Sequence, residues 1–344
     1  MFAYSVIKLY TDTGGGTRFA VLNIIGACIF YSAFPKKWYG DNLPLWRAMS
    51  IIIFFFFIGE SGLAIFERLR GANLFGWTSE IVYTIEDYGL EEYRSTSFWG
   101  HPLSNAQIVS TIMTFILLSP LRIKYKMSLW LMGYLAILCF NTRSSMIGNA
   151  LLLVAYLSYT TFRSGVALSS KLGVIAVGII VSGLGYYLVF SAGWGGRLTN
   201  NELMDGSTMT RFDVWNLLDF LKGNVFWFGV DEDTFALYKS MAGLYATENF
   251  LIDWFFKFGV PFICIYIYLY VKLIKRLYVN YDKMSIMFTG GSFLMLSFTC
   301  NSLSTSFVPM AIYLMCIECF DPRYFQFFVD KKYIDYDHRA LSYE

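Results

Sequence analysis

The chain from Ser191 to Glu248 reads SAGWGGRLTNNELMDGSTMTRFDVWNLLDFLKGNVFWFGVDEDTFALYKSMAGLYATE. Nowhere in it is there an apolar run long enough to cross a bilayer, whereas most of the remaining chain is apolar runs joined by short polar segments. The island holds a glycine-rich turn with an arginine, Gly193-Trp194-Gly195-Gly196-Arg197, and a polar stretch from Thr199 to Thr210. A helix-like segment opens on Arg211, the acidic triplet Asp231-Glu232-Asp233 follows, and Thr247-Glu248-Asn249 leads into the next apolar run. Flanked by spanning runs, such an island is one large loop on one side of a membrane. The expected fold is therefore an all-α integral membrane protein whose helical bundle carries a large external loop, residues 191–248, containing short interfacial helices.

Working outward, composition agrees. Hydrophobic residues make up 56% of the chain and charged residues 15%, against about 25% charged in soluble domains. Aromatics at 19% suit interfacial belts and packed helices. A net charge of +2 gives no reason to expect nucleic acid. The cysteines Cys28, Cys139, Cys264, Cys300, Cys316 and Cys319 all fall in apolar runs and read as small buried hydrophobes; Cys316 and Cys319 lack the partner ligands of a metal or redox motif. Met1–Tyr10 does not have the pattern of a cleavable signal peptide.

A spanning helix needs about 17–25 mostly apolar residues. Runs that reach or approach this length, with loose edges, are Arg18–Phe34, Trp46–Phe66, Leu103–Ser119, Ser128–Asn141, Ser145–Phe162, Leu172–Ser191, Asn249–Val271, Met284–Cys300 and Thr305–Phe320, about nine in a single polytopic domain, 1–344. Basic residues fall in alternate joints: Lys36, Lys37 and Arg47, then Arg122, Lys124 and Lys126, then Arg163 and Lys171. Lys272, Lys275, Arg276 and Lys283 follow, and the 321–344 tail carries Arg323, Lys331, Lys332 and Arg339. Positive charge marks the cytoplasmic side, so these joints and the C-terminus are placed inside. The 67–102 and 191–248 loops, with the tight joints after Phe140 and Cys300, are placed outside. Arginine dominates the basic residues left outside: Arg18, Arg68, Arg70, Arg94, Arg143, Arg197 and Arg211. Its planar, permanent fork suits phosphate better than an ammonium does. Arg68 and Arg70 have Glu67 beside them as an ion-pair partner.

Several constellations bear chemistry. Thr210-Arg211-Phe212-Asp213 reads as a capping box opening an interfacial amphipathic helix that ends near Gly223, with Arg211 in its first turn. Backbone N–H groups there would favour a bound anion; an ion pair of Arg211 with Asp213 or a lipid headgroup explains the same residues. Arg143, in Asn141-Thr142-Arg143-Ser144-Ser145, is costly near a bilayer unless it faces a polar cavity. His101 in Gly100-His101-Pro102 reads as a general base or as a helix cap. Glu248 stands at a helix start without an obvious local partner, a general base for a hydroxyl or a dipole-compensating acid. Asp253 and Lys257, at i and i+4, would neutralise each other, and Glu60 reads as a buried acid bonding a neighbouring helix. No Walker loop, nucleotide fingerprint, H-E-x-x-H or metal-ligand cluster is present, so neither metal nor other cofactor is expected.

The motif order from Tyr93 to Pro261 resembles the Wzy-type O-antigen polymerase and O-antigen ligase superfamily of integral-membrane glycosyltransferases. The likeness is carried by Arg94 followed by Gly100-His101-Pro102, by Thr142-Arg143-Ser144-Ser145, and by Arg211-Phe212-x-x-Trp215. Phe228-Gly229-Val230 and Glu248-Asn249-Phe250-Leu251 running into Phe258-Gly259-Val260 complete it. Val230 is followed by Asp231 where the family has glycine, and Glu248 stands where the ligases have histidine, which favours the polymerase branch. The resemblance implies metal-independent transfer between undecaprenyl-diphosphate-linked oligosaccharides at the outer face of the bacterial inner membrane, among membrane lipids and with a chain-length regulator as partner. Arg94, Arg143, Arg197, Arg211 and Asn249 are then expected to bind diphosphate or glycan, and Glu248, with His101 behind it, to activate the acceptor hydroxyl. Rival expectations are a ligase attaching glycan to a lipid core, a polysaccharide flippase or other transporter, and a non-enzymatic protein whose loop binds a partner.

Overall fold

The computed structural model describes residue 26 and residues 43–75, 93–119, 121–162, 168–191, 193, 194, 196, 206–244, 247–278, 281–299 and 302–320. All of its regular elements are helical. In chain order they are α1 (Leu43–Arg70), α2 (Pro102–Leu118), α3 (Ile123–Phe140), α4 (Arg143–Phe162), α5 (Leu168–Phe190) and α6 (Gly206–Asp213), then a 3-10 turn, Val214–Phe220. After it come α7 (Asn224–Phe228), α8 (Glu232–Met241), α9 (Phe250–Phe258), α10 (Val260–Leu277), α11 (Lys283–Phe298), α12 (Ser302–Thr305) and α13 (Val308–Cys319). Among the described residues, three stretches are long and apolar enough to cross a membrane: Ala48–Arg70, Ile123–Phe140 and Arg143–Phe162.

Of the nine expected runs, eight fall in the described residues and become helical, but the helices long and apolar enough to span number three there, not nine. Asn249–Val271 is not one helix but two, α9 and α10, broken at Gly259, whose φ of 82° is closed to most side chains. Pro261 then sits in the first turn of α10, where a missing N–H costs nothing. Thr305–Phe320 becomes the twelve-residue α13, and the short α12 ends where that run begins. The run Arg18–Phe34 and the 321–344 tail lie outside the described residues, apart from Gly26.

Almost every residue of α2 is buried, and α1, α3, α4, α11 and α13 pack around it. Its polar side chains pair across helices: Gln107 donates to Ser297 (2.6 Å), Ser110 accepts from Asn149 (2.7 Å), and Thr114 meets Ser292 (3.2 Å). In a bilayer, where helix faces are no more apolar than lipid tails, such pairs hold helices together. Phe293 stacks on Tyr313 with ring centres 4.1 Å apart, tying α11 to α13. Cys139, Cys316 and Cys319 are buried as expected, but Cys264 is exposed on α10.

The joints sort to two ends. At one end Arg68, closing α1, donates to the Gly193 carbonyl just beyond α5, and Ser95, ahead of α2, donates its N–H to Cys139 near the end of α3. At the other, Ser50 on α1 donates to the Cys319 carbonyl of α13, and Tyr281 donates to Ile317. Among the described residues, Arg68, Arg94 and Arg143 fall at the first end, and Lys126, Lys275 and Lys283 at the second.

Candidate functional site

Two clusters of the expected residues stand at the arginine-bearing end. The first is built on Glu67, which is fully buried. Its Oε1 accepts the N–H of Leu74 (2.8 Å), and its Oε2 accepts those of Thr96 (2.9 Å) and Ser97 (3.0 Å). A carboxylate holding three main-chain donors fixes the irregular Tyr93–Ser97 segment in the bundle end. Backbone without its own ladder is tolerated at such a place only when protein supplies the partners. Here they include Ser95 Oγ donating to Ala64 (2.9 Å), Ser97 Oγ donating to the Glu60 carbonyl (3.1 Å), and Asn105 donating to Thr96.

The sequence treats residues 67–102 as an external loop, but Tyr93–Ser97 is a buried plug apart from partly exposed Arg94. Arg68 donates to the carbonyls of Tyr93 (3.2 Å) and Gly193 (2.9 Å) and lies over the Tyr93 ring. Burial, with Glu67 nearby, pushes the Tyr93 phenol well above its ordinary range. Glu60 is fully buried; its main-chain carbonyl, not its carboxylate, takes the bond from Ser97.

Arg94, Arg143 and His101 belong to this cluster. Arg94 directs Nε at the carbonyl of Phe140 (3.2 Å), so that nitrogen braces the end of α3. Arg143 is the first residue of α4, partly buried, two residues after Asn141, which closes α3 in the left-handed region at φ 53°. His101 is the N-cap of α2: its Nδ1 accepts the Ser104 N–H at 3.4 Å, and Pro102 follows at the first helical position. Burial, then the nearby Arg94, lowers the imidazole from 6.5 to about 4, so it is neutral at pH 7. A neutral, capping imidazole with so low a pKa is a weak general base; of the two expectations for His101, the cap is the one the geometry supports.

The second cluster lies in the island. Residues 206–244 form a small helical cap with its own core: Val214, Leu217, Phe235 and Leu244 pack on Ile252 and Phe256 of α9. Phe235 stacks on Phe256 at 5.1 Å and Phe220 on Tyr238 at 5.0 Å. The acidic triplet is explained locally, since Asp231 caps α8 by accepting the Thr234 N–H (2.8 Å), and Glu232 and Asp233 occupy its first turn.

Cap and α9 meet where the two Phe-Gly-Val triplets cross. Val230 donates its N–H to Phe256 at 2.7 Å. A Cβ on Gly229 would stand 2.5 Å from the Phe256 oxygen, and one on Gly259 2.3 Å from the Trp227 oxygen. Both glycines have positive φ, 69° and 82°. Main chain rests on main chain there, and only glycine allows it.

At the start of α9 the sequence expectations meet one another. Arg211 Nε and Glu248 Oε2 are 2.7 Å apart, with the side chains 27% and 21% exposed. The N–H of Arg211 does not point along that line, so the contact is ionic rather than a formed hydrogen bond. This corrects the reading of Arg211. α6 begins at Gly206, not after Thr210, so Arg211 lies in its last turn, where the helix dipole favours a cation, and no capping box forms there. Asn249 is the N-cap of α9, accepting from Leu251 (3.0 Å) and Ile252 (3.3 Å), which gives its side chain a structural duty. Behind it Asp253 and Lys257 form the buried pair that their spacing predicts, 2.9 Å apart, and Thr247 donates to Asp253 at 3.3 Å. Phe250 packs on Phe298, which sets this helix start at the same bundle end as the plug. Arg197 lies outside the described residues. Among the described residues no group of histidines, cysteines and carboxylates is arranged to hold a metal.

Sequence reasoning missed Glu67 as an organiser and missed the pairing of Arg211 with Glu248. Two Phe-Gly-Val triplets in one region were a legible sign of close backbone contact. Nothing local announced an ion pair between residues so far apart in the chain. Comparison with protein-family models, with curated proteins and with solved structures finds no match for this chain. What fold and site define is a helical protein with helices able to cross a membrane, bearing at one end a folded cap and a partly exposed arginine–glutamate pair.

Proposed function

We propose that the chain is a multi-pass glycosyltransferase of the bacterial inner membrane. It lengthens undecaprenyl-diphosphate-linked oligosaccharides, with the arginine-bearing end outside and the C-terminus in the cytoplasm. The observation that carries this reading is the contact of Arg211 with Glu248 at the foot of the cap. The pair holds in one place the two groups a lipid-diphosphate leaving reaction needs. An incoming donor diphosphate competes for Arg211, whose fork matches phosphate, and so releases the Glu248 carboxylate. Glu248 then accepts the proton of an acceptor hydroxyl. That oxygen bonds to the donor sugar's anomeric carbon as the bond to diphosphate breaks, and the departing charge is stabilised by Arg211. Arg143, first in α4, is the second cation for the diphosphate. Arg94, by its bond to Phe140, and Asn249, by its cap, position the site instead.

Exposed Phe212, Trp215, Trp227 and Phe228 on the cap support its seating in the membrane interface, where such side chains gather. A transporter has one observation in its favour, the polar side chains along buried α2, but these pair across helices. The test is reconstitution in liposomes with a lipid-diphosphate-linked repeat unit. A ladder of longer glycans supports polymerisation; product only when a lipid-core acceptor is added favours a ligase. Lipid-linked sugar that crosses the bilayer without growing favours a transporter.

A further inference from the structure

An apolar cleft of about 470 Å³ lies between α9–α10 on one side and α11–α13 on the other, lined from Phe250 at the start of α9 to Tyr278 just beyond α10. That volume falls within the about 300–1,000 Å³ of small-molecule sites. On α10 it follows one face from Tyr266 through Tyr270 and Ile274 to Tyr278. At about 1.5 Å per residue, this face is about 18 Å long, close to one leaflet, half of an about 30 Å hydrocarbon core. Among the lining residues the charge is Lys275, at the lysine-rich end, with Lys272, Arg276 and Lys283 on the same end of α10 and α11.

We propose that this cleft seats one acyl chain of an anionic glycerophospholipid from the leaflet at the lysine-rich end, with its phosphate at Lys275. Length and charge both select that occupant. The lining is apolar over one leaflet's depth, and the cation stands at the end where a phosphate would lie. Anionic lipid is drawn to basic residues at a membrane surface. The site is independent of the transfer reaction proposed above and rests only on the helices lying in a bilayer.

The full chain is placed in nanodiscs of equal POPG and POPC, extracted, and weighed by native mass spectrometry. One retained POPG per monomer is expected. Ile267→Trp, at a half-exposed position in the cleft, is expected to remove it, whereas Ile179→Trp on exposed α5 leaves it. Lys275→Gln is expected to lower the preference for POPG over POPC about fivefold, the weight of one lysine at an anionic surface. No retained lipid, equal retention in Ile267→Trp, no change of preference in Lys275→Gln, or a lipid-free dimer that Ile267→Trp dissociates would each overturn the assignment.

Discussion

Arg94 and Arg211 stand at the same end of the bundle and face different partners. Arg94 directs Nε to a main-chain carbonyl beside a plug whose polar groups are nearly all buried. Arg211 meets a carboxylate at a partly open position beneath a separately packed cap. In the plug, polarity satisfies backbone: Glu67 holds three N–H groups, His101 holds another, and Asn105 donates to the Thr96 carbonyl. In the cap the stabilising contacts are apolar, and the ion pair is left where a ligand can reach it. An external arginine is thus not in itself a sign of chemistry; what it is paired with, and how openly, decides.

The largest effect is expected in the plug. Glu67→Ala strands two buried donors, at about 1–3 kcal/mol each, and frees the partly exposed Leu74 N–H, so a loss of at least about 2 kcal/mol is expected in denaturant or thermal unfolding in detergent. A loss under about 1 kcal/mol would put the plug and the cap on the same footing. Next comes the glycine crossing: Gly259→Ala sets a Cβ against the Trp227 carbonyl at a positive φ, at about 1–3 kcal/mol. It is expected to loosen the cap from α9, read as faster proteolysis of residues 206–244 with α2 and α3 unaffected. Asn249→Ala, removing the α9 cap, is expected to cost about 1 kcal/mol; Asn249→Asp, also a good cap, should restore stability and activity together.

The last is a pH slope. His101 resists protonation in the folded protein, so the unfolded chain binds the extra proton first. Stability is expected to be intact above 6.5 and to fall as pH drops toward about 4. His101→Asn keeps a capping side chain and should flatten that part of the profile; an unchanged slope would remove His101 as its cause.

The helices were legible because their apolar runs are long and their joints are marked by charge. Gly259 hid a break inside Asn249–Val271, since one glycine before a proline barely interrupts hydropathy. Thr210-Arg211-Phe212-Asp213 matched a capping box, but the preceding turn from Gly206 was already helical. Asp253 and Lys257 were legible because i, i+4 spacing alone brings them together. Arg211 and Glu248 were individually visible, yet their contact depends on the cap folding onto α9, which no local pattern records.

The direct measurement is glycan-chain elongation in liposomes by Glu248→Gln beside wild type, with unfolding midpoints of both. The loss of a general base costs about 10²–10⁴-fold, so elongation is expected to fall at least about a hundredfold with little change in midpoint, because Glu248 is partly exposed. Undiminished elongation in a folded Glu248→Gln protein would contradict the assignment of chemistry to this pair.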